Sequence, residues 1–345
     1  MQTYIVRLYF KNALRVGAAN AGIDIEATQD FIHSDTLWAA IANHWAILGN
    51  AGGISFHEFL KSFLNKEPLF RISSVFPMTD NGRMYWLPKP LSVPMAFSKS
   101  NTQDKKNQQE QYGKEVKQTK FIPLDVFKGW INFEKNASDV GQTKPKGLSS
   151  GQLRPQATID RVSMQSQLFH SGITCFDKLD KRVGLYFLVQ CNETTKTALE
   201  KIFEVIYEVG AIGGNRNIGL GELAEKPFFQ AATAFTDLFE TENSNAHCLL
   251  SLCSPTISEM PTKETAIAFN PILRKGWTGS LSVGLQRKRH TMYMFSEGSV
   301  FRNKLNGGLV DITPDKIITP EWNGLHSVYR YGYGFSVPIK IDLND

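Results

Sequence analysis

Tyr4, Val6, Leu8 and Phe10 alternate with Ile5, Arg7 and Tyr9, a period of two that predicts a strand over Thr3–Phe10 with one buried face. A polar, Gly/Ala-rich connection runs from there to Phe31. Beyond it Leu37, Ile41, Trp45 and Leu48 recur at helical spacing, with the small Ala39, Ala40 and Ala42 between them. Ser34 is the expected N-cap of that helix, and Asp35 suits its first turn. Phe70–Phe76 and Met84–Leu87 read as strands around the turn Thr79-Asp80-Asn81-Gly82, and Leu87-Pro-Lys-Pro90 ends any regular element there. Residues 98–120 are nearly devoid of apolar side chains and read as an exposed insertion. Ordered character returns over Phe121–Phe133, and Glu134–Gly151 is again loop-like. Gly184–Gln190 is an apolar strand; Leu199, Ile202, Phe203, Ile206 and Val209 mark a helix that Gly210 closes, and Leu220–Phe229 reads as a strand. Residues 1–230 therefore spell β-α-β-β, an insertion, then β-α-β. Without the insertion this is a split, ferredoxin-like α+β pattern: a four-stranded antiparallel sheet with two helices on one face. The remainder, 231–345, is strand-rich at His247–Cys253, Met292–Ser296, Gly308–Ile312 and Tyr329–Ile341 and reads as a second, more irregular α+β unit.

A chain of 345 residues supports two such domains. With 42% hydrophobic and 21% charged residues it reads as soluble and globular. A net charge of +5 permits nucleic-acid binding without demanding it, so the distribution of charge matters more. From Arg274 to Lys304 there are seven Lys/Arg against the single acid Glu297. The four cysteines show no CxxC pair and the seven histidines no ligand spacing, so neither a metal site nor a disulfide framework is expected, and no cofactor is implied. The N-terminus starts directly in a strand pattern without signal-peptide features, and no apolar run reaches membrane-spanning length; a cytoplasmic location is expected.

Chemistry concentrates in Gly210–Glu222, where five of thirteen positions (210, 213, 214, 219, 221) are glycine. The order helix, glycines, strand is the reverse of a nucleotide-cradling loop, and Gly-Lys-Ser/Thr is missing. Gly213, Gly214, Asn215, Arg216, Asn217 and Gly219 suit a run of phosphates held by main-chain N–H groups and one guanidinium; a tight structural turn is the other reading. His33 and Ser34, opening the first helix, fit either a capped helix or an anion contact, and His33 also fits a general base acting on a 2′-OH. Arg154 and Arg161, beside Ile159 and Asp160, suit an arm reaching over a groove; a local Asp160–Arg161 ion pair is the other reading. Alternating aromatics and glycines over Tyr329–Phe335 fit a half-buried strand or a base-stacking surface, and Lys288, Arg289 and His290 fit a phosphate contact or a solvated strand edge.

Phe31-Ile-His-Ser-Asp-Thr-Leu37, Phe76-Pro77, Leu87-Pro-Lys-Pro90, Ile159-Asp-Arg161 with Leu168-Phe169, and Gly213-Gly-Asn-Arg-Asn-Ile-Gly-Leu-Gly221 together resemble the RAMP superfamily of CRISPR-associated RNA-binding proteins. Within it they are most similar to the fourth-subunit group of type III-A (Csm) effectors. Phe295-Ser-Glu-Gly-Ser299 and Tyr331-Gly-Tyr-Gly334 are similar to that group's C-terminal half. The resemblance implies two ferredoxin-like (RRM-like) domains, the first over 1–230 with a thumb inserted at about 91–182 and the second over 231–345. It also implies a non-catalytic subunit of an antiviral effector that grips the 5′ repeat-derived handle of crRNA. Its implied neighbours are the large polymerase/cyclase-type subunit and a backbone RAMP subunit, with target RNA met only indirectly and no membrane. The implied RNA contacts are the glycine loop, His33, Ser34, Lys89, Arg154, Arg161 and Arg289. Related guide-processing enzymes keep a metal-independent endoribonuclease acting through His33 open as an alternative, as is the equivalent type III-B subunit. Asp24 and Asp30 lie where target-cutting backbone subunits carry an acid, but their surroundings do not match, and that activity is not expected.

Overall fold

The structure, a computed structural model, describes residues 1–17, 27–92, 113, 116, 118–134, 148–176, 183–241, 243–278, 287–314 and 326–342. Most of the polar stretch expected over 98–120, most of the loop expected over 134–151, and Asp24 lie outside these residues. Apart from strands of two residues, the first part of the chain forms β1 (Gln2–Leu8), α1 (Ser34–Leu48), α2 (Phe56–Leu64), β2 (Phe70–Ile72), β3 (Phe76–Thr79), β4 (Met84–Pro88), β5 (Phe121–Pro123), α3 (Leu124–Ile131), β6 (Leu148–Ile159), β7 (Ser166–Phe176), β8 (Gly184–Cys191), α4 (Glu193–Val209) and β9 (Phe229–Ala231). The class is α+β, as expected.

Seven strands make the main sheet, in the order β9-β1-β8-β3-β4-β5, with β2 also on β8. Every pairing is antiparallel, and β1 runs along β8 from Gln2 opposite Cys191 to Leu8 opposite Leu185. Two of the strands beyond the four expected have a clear origin. Phe121–Pro123, beyond the insertion, pairs with Trp86–Pro88 and widens the edge. The strand expected over Phe70–Phe76 is broken at Ser73–Val75, whose N–H groups donate to the carbonyls of Leu188, Leu250 and Ile32.

Burial on both sides of β1 corrects the one-sided strand read from its alternation. Tyr4, Val6 and Leu8 pack with Leu37, Ile41 and Trp45 of α1 and Ile202, Phe203 and Ile206 of α4. Ile5, on the opposite face, joins Phe127 and Trp130 of α3 and Phe235, Cys248, Val337 and Ile339 from the second half. One sheet thus divides two cores, and the second core is filled from both halves of the chain.

Other differences are local. Ser34 is not the N-cap: the helix starts on it, and His33 takes the cap position without a side-chain cap bond. The unforeseen α2 is closed by a capping box in which Ser55 and Glu58 satisfy each other's backbone N–H groups. Leu220–Phe229 forms no ladder. An isolated antiparallel bridge joins Phe10 to Leu223, the Gly221 N–H donates to the Ala13 carbonyl, and only Phe229–Ala231 pairs with β1 itself. The aromatic tail is core rather than a stacking surface. Tyr331 and Tyr333 are buried against the α1–α2 side, and the Ile72 N–H donates to the Tyr331 hydroxyl at 3.1 Å. That tail is two strands, Tyr329–Tyr333 pairing with Gly307–Asp311 and Ser336–Ile339 pairing with Ala246–Leu249.

Candidate nucleic-acid interface

The glycine loop closes α4 and folds back on the segment after β1. Gly214 N–H donates to the Arg15 carbonyl at 2.8 Å, and Arg15 Nη1 donates to Asn215 Oδ1 at 3.0 Å. A methyl group at Gly213 would sit 2.6 Å from that same carbonyl, and one at Gly221 would fall on the Ile212 carbonyl oxygen. These two glycines therefore answer to close backbone approach, and both have positive φ, 99° and 79°. At Gly210 the reason differs: its φ is −115°, and a side chain there would collide with the His44 imidazole. Between these fixed points Gly214, Arg216, Asn217 and Ile218 are exposed, and Asn215 and Gly219 take left-handed conformations around a single 3₁₀ turn. A cavity of about 390 Å³ beside the turn is lined by Arg216, Lys11, His44, Tyr207 and Glu222, among others. Burial lowers the His44 pKa, helped by the Arg216 charge and opposed by the hydrogen bond to the Ala40 carbonyl. An uncharged imidazole, a guanidinium and an ammonium thus share one edge.

His33 and Ser34 lie elsewhere. His44 touches the loop from the far part of α1, and eleven residues of helix rise place His33 about 16 Å further along the axis. There His33 Nδ1 meets Glu297 Oε1 at 2.8 Å, and Ser74 donates its hydroxyl to the same carboxylate oxygen. Burial by itself raises the Glu297 pKa, but the His33 charge, its hydrogen bond and that of Ser74 outweigh it, and the net direction is down. Ser34 accepts from the Leu252 N–H, while its own N–H donates to Ser74. Asp35 is also buried, and its pKa is lowered because Arg274, Arg330 and His33 overcome the opposing effect of burial. Three sequence motifs converge here. His33 comes from the first, Lys89 from Leu87-Pro-Lys-Pro90, and Glu297 and Gly298 from Phe295–Ser299; the Leu91 N–H donates to the Gly298 carbonyl at 2.8 Å. Around them lies a cavity of about 390 Å³ lined by Gln29, Phe31, His33, Lys89, Lys120, Phe121, Asn270 and Glu297, with others. His33 Nε2 and Gln29 Oε1 are buried without a partner among the described residues. Burial also lowers the pKa of Lys89, whose ammonium sits 5.8 Å from the Trp130 ring centre.

Arg154 and Arg161 belong to a third place. β6 and β7 pair from Leu148–Phe176 out to Ile159–Ser166 as one long hairpin arm, whose tip exposes Ile159, Val162, Met164 and Leu168. Asp160 does not pair with Arg161; its carboxylate accepts from Val162 and Ser163 and shapes the turn. Both arginines are exposed on this arm.

Residues 242–339 match the family described as the CRISPR Csm4 C-terminal domain. A Thermococcus onnurineus protein described as CRISPR system Cms protein Csm4 is 26% identical over 317 residues, covering 91% of this chain and 93% of that one. The chain is similar to Csm4 proteins along nearly its whole length. A Methanocaldococcus jannaschii protein of the same description is 24% identical over 373 residues, covering 92% of this chain and 93% of its own. In fold, the Csm4-like chain is similar to a solved Csm3–Csm4 subcomplex of a type III-A CRISPR–Cas interference complex. The TM-score is 0.60 at 16% identity, and the match covers 98% of this chain and 100% of the solved one. The matched C-terminal segment holds Glu297, Arg274 and Arg330, the distant partners of His33 and Asp35. Sequence reading missed those partners, because nothing local marks a contact across 264 or 295 residues.

Proposed function

We propose that this Csm4-like chain is a non-catalytic RNA-binding subunit of a type III-A CRISPR effector complex, holding the 5′ repeat-derived handle of crRNA. In this reading it joins the large polymerase/cyclase-type subunit to a backbone RAMP subunit, and the Csm3–Csm4 pairing of the solved relative supports the second neighbour. Its two units, 1–230 and 231–345, are both ferredoxin-like, and the β6–β7 arm is the thumb. The strand order β9-β1-β8-β3 supports that frame for the first unit.

The observation that carries the reading is the exposed turn Gly214–Ile218, held open by backbone contacts at Gly213 and Gly221 with Arg216 and Lys11 beside a cavity. Main-chain N–H groups and a guanidinium in that setting suit consecutive phosphates, and unpaired RNA offers base edges and 2′-OH groups to its neighbours. Contact with about four to six phosphates gives a log–log salt slope of roughly −3 to −4. Fluorescence anisotropy on a handle oligoribonucleotide tests this. Arg216→Ala loses about 1–2 kcal/mol of affinity, and unchanged binding by that variant rejects the assignment.

One observation favours a second reading, an endoribonuclease acting through His33. Glu297 gives His33 the carboxylate partner that orients a general base, with Nε2 at a cavity that also presents Lys89. Incubation with repeat RNA in EDTA decides between the two: specific cleavage that vanishes in His33→Ala establishes the enzyme, and intact RNA leaves the binding subunit.

A further inference from the structure

From Arg274 to Ser296 the sequence carries five Lys/Arg (274, 275, 287, 288, 289) and no Asp or Glu. Part of this run turns inward. Arg274 donates to Asp35 through Nε and Nη2 at 3.0 and 2.8 Å, and Arg330 Nη1 donates to the same carboxylate at 2.6 Å. Arg289 joins them: burial, with the charges of Arg330 and Arg274 and against the attraction of Asp35, pushes its guanidinium down to about 10. Arg274 and Arg330 therefore saturate the Asp35 carboxylate between them, and the Arg289 guanidinium lies within electrostatic reach of it. The Arg330 side chain is 4% exposed. Its Nε and Nη2, and the Nε of Arg289, are buried with no hydrogen-bond partner among the described residues. Buried cations of this kind are stabilised by a counter-charge that also fills their N–H groups. The planar guanidinium fork matches phosphate oxygens.

The neighbouring residues favour one source of phosphate. Arg289 N–H donates to the Gly276 carbonyl at 3.0 Å, and a side chain at Gly276 would collide with the Arg289 guanidinium, which therefore lies across that glycine. The next residue, Trp277, bridges to Lys288, whose ammonium stands 5.5 Å from the indole centre. Trp277 is 56% exposed, a large aromatic surface left in solvent beside an arginine cluster. Free phosphate has no use for an exposed indole, and an acidic peptide lacks a planar base to stack on it.

We propose that Arg289, Arg330 and Trp277 form a second contact for single-stranded RNA, separate from the glycine loop. The guanidiniums take one backbone phosphate, the indole stacks one unpaired base, and Arg274 holds Asp35 in place as a positioning residue. This rests on the RNA-binding reading above and extends it to the C-terminal half. The test uses the full chain, a fluorescein-labelled single-stranded oligoribonucleotide, and inorganic phosphate and polyglutamate as competitors. Arg289→Gln weakens RNA binding by about tenfold and makes the salt slope shallower by about 0.7. Trp277→Leu weakens it by about tenfold with the slope unchanged. Arg330 is left intact because its loss unpairs Asp35, and Trp277, being exposed, keeps the test independent of folding. If Arg216→Ala alone weakens binding, this second contact is refuted and the glycine-loop reading stands; if none of the three variants weakens it, both fall. Phosphate raising the melting temperature through Arg289 while neither variant changes RNA affinity identifies a free-anion site and overturns the proposal, as does polyglutamate displacing RNA in a Trp277-independent manner.

Discussion

Asp35 and Glu297 are the residues on which the joint between the two halves turns, since each is buried and each holds cationic or polar partners from far along the chain. Removing one member of such a buried pair leaves an uncompensated charge, a loss of about 3–5 kcal/mol. Asp35→Asn is accordingly expected to lower the urea midpoint strongly, whereas exposed Arg216→Ala leaves it nearly unchanged; paired denaturation curves check this. The sign of the pH dependence comes from the same two groups. Both carboxyls have folded pKa values below the ordinary ones. Their contribution is therefore complete above the unfolded values, about 3.9 for Asp and 4.3 for Glu, and is lost as pH falls toward the folded values. Wild-type stability should decline steeply below about pH 4. Glu297→Gln should decline less over that interval, and an equal decline in both proteins would show that Glu297 is not coupled to folding.

Among the elements, the β6–β7 arm stands apart. Its tip buries little: Val162 is 94% exposed, and Ile159, Met164 and Leu168 are exposed as well. Surface substitutions away from a core change stability by roughly half a kcal/mol or less. Replacing residues 157–168 with a two-residue Asn-Gly turn, which the antiparallel register from Gln156 opposite Phe169 accommodates, should leave the melting temperature within about a degree or two of wild type. RNA binding or co-purification with a backbone RAMP subunit should weaken in the same variant. An arm that serves only stability would give the opposite pattern. The glycine loop is the contrasting element, because Gly213 and Gly221 are fixed by the carbonyls of Arg15 and Ile212. Only its middle, Gly214–Ile218, is open to a ligand.

At the scale of the whole molecule, the second core decides how the chain unfolds. Ile5, Tyr186 and Leu188 of the main sheet share that core with Phe235, Cys248, Val337 and Ile339. A fragment ending at Ala231 would expose one face of β1 and β8, so it should lack a sharp thermal transition, while the intact chain melts in one step by calorimetry. Two well-separated transitions would show that each half carries a sufficient core of its own. Much of this architecture was legible from local pattern. The alternation at Tyr4–Phe10, the helical spacing from Leu37 to Leu48 and from Leu199 to Val209, and the Asp80-Asn81-Gly82 turn all describe interactions within a few residues, and each element stands near its expected place. The Ser55/Glu58 capping box was equally local and would have revealed α2. Periodicity reports only that a face is apolar, however, and says nothing of which surface covers it. Burial of both faces of β1, the pairing of His33 with Glu297 and the pairing of Asp35 with Arg274 and Arg330 needed the chain to return from more than 200 residues away. Local sequence therefore determined the elements and the glycine loop, while tertiary structure alone decided which charged groups lie inside, because long-range pairing leaves no periodic trace in a single chain.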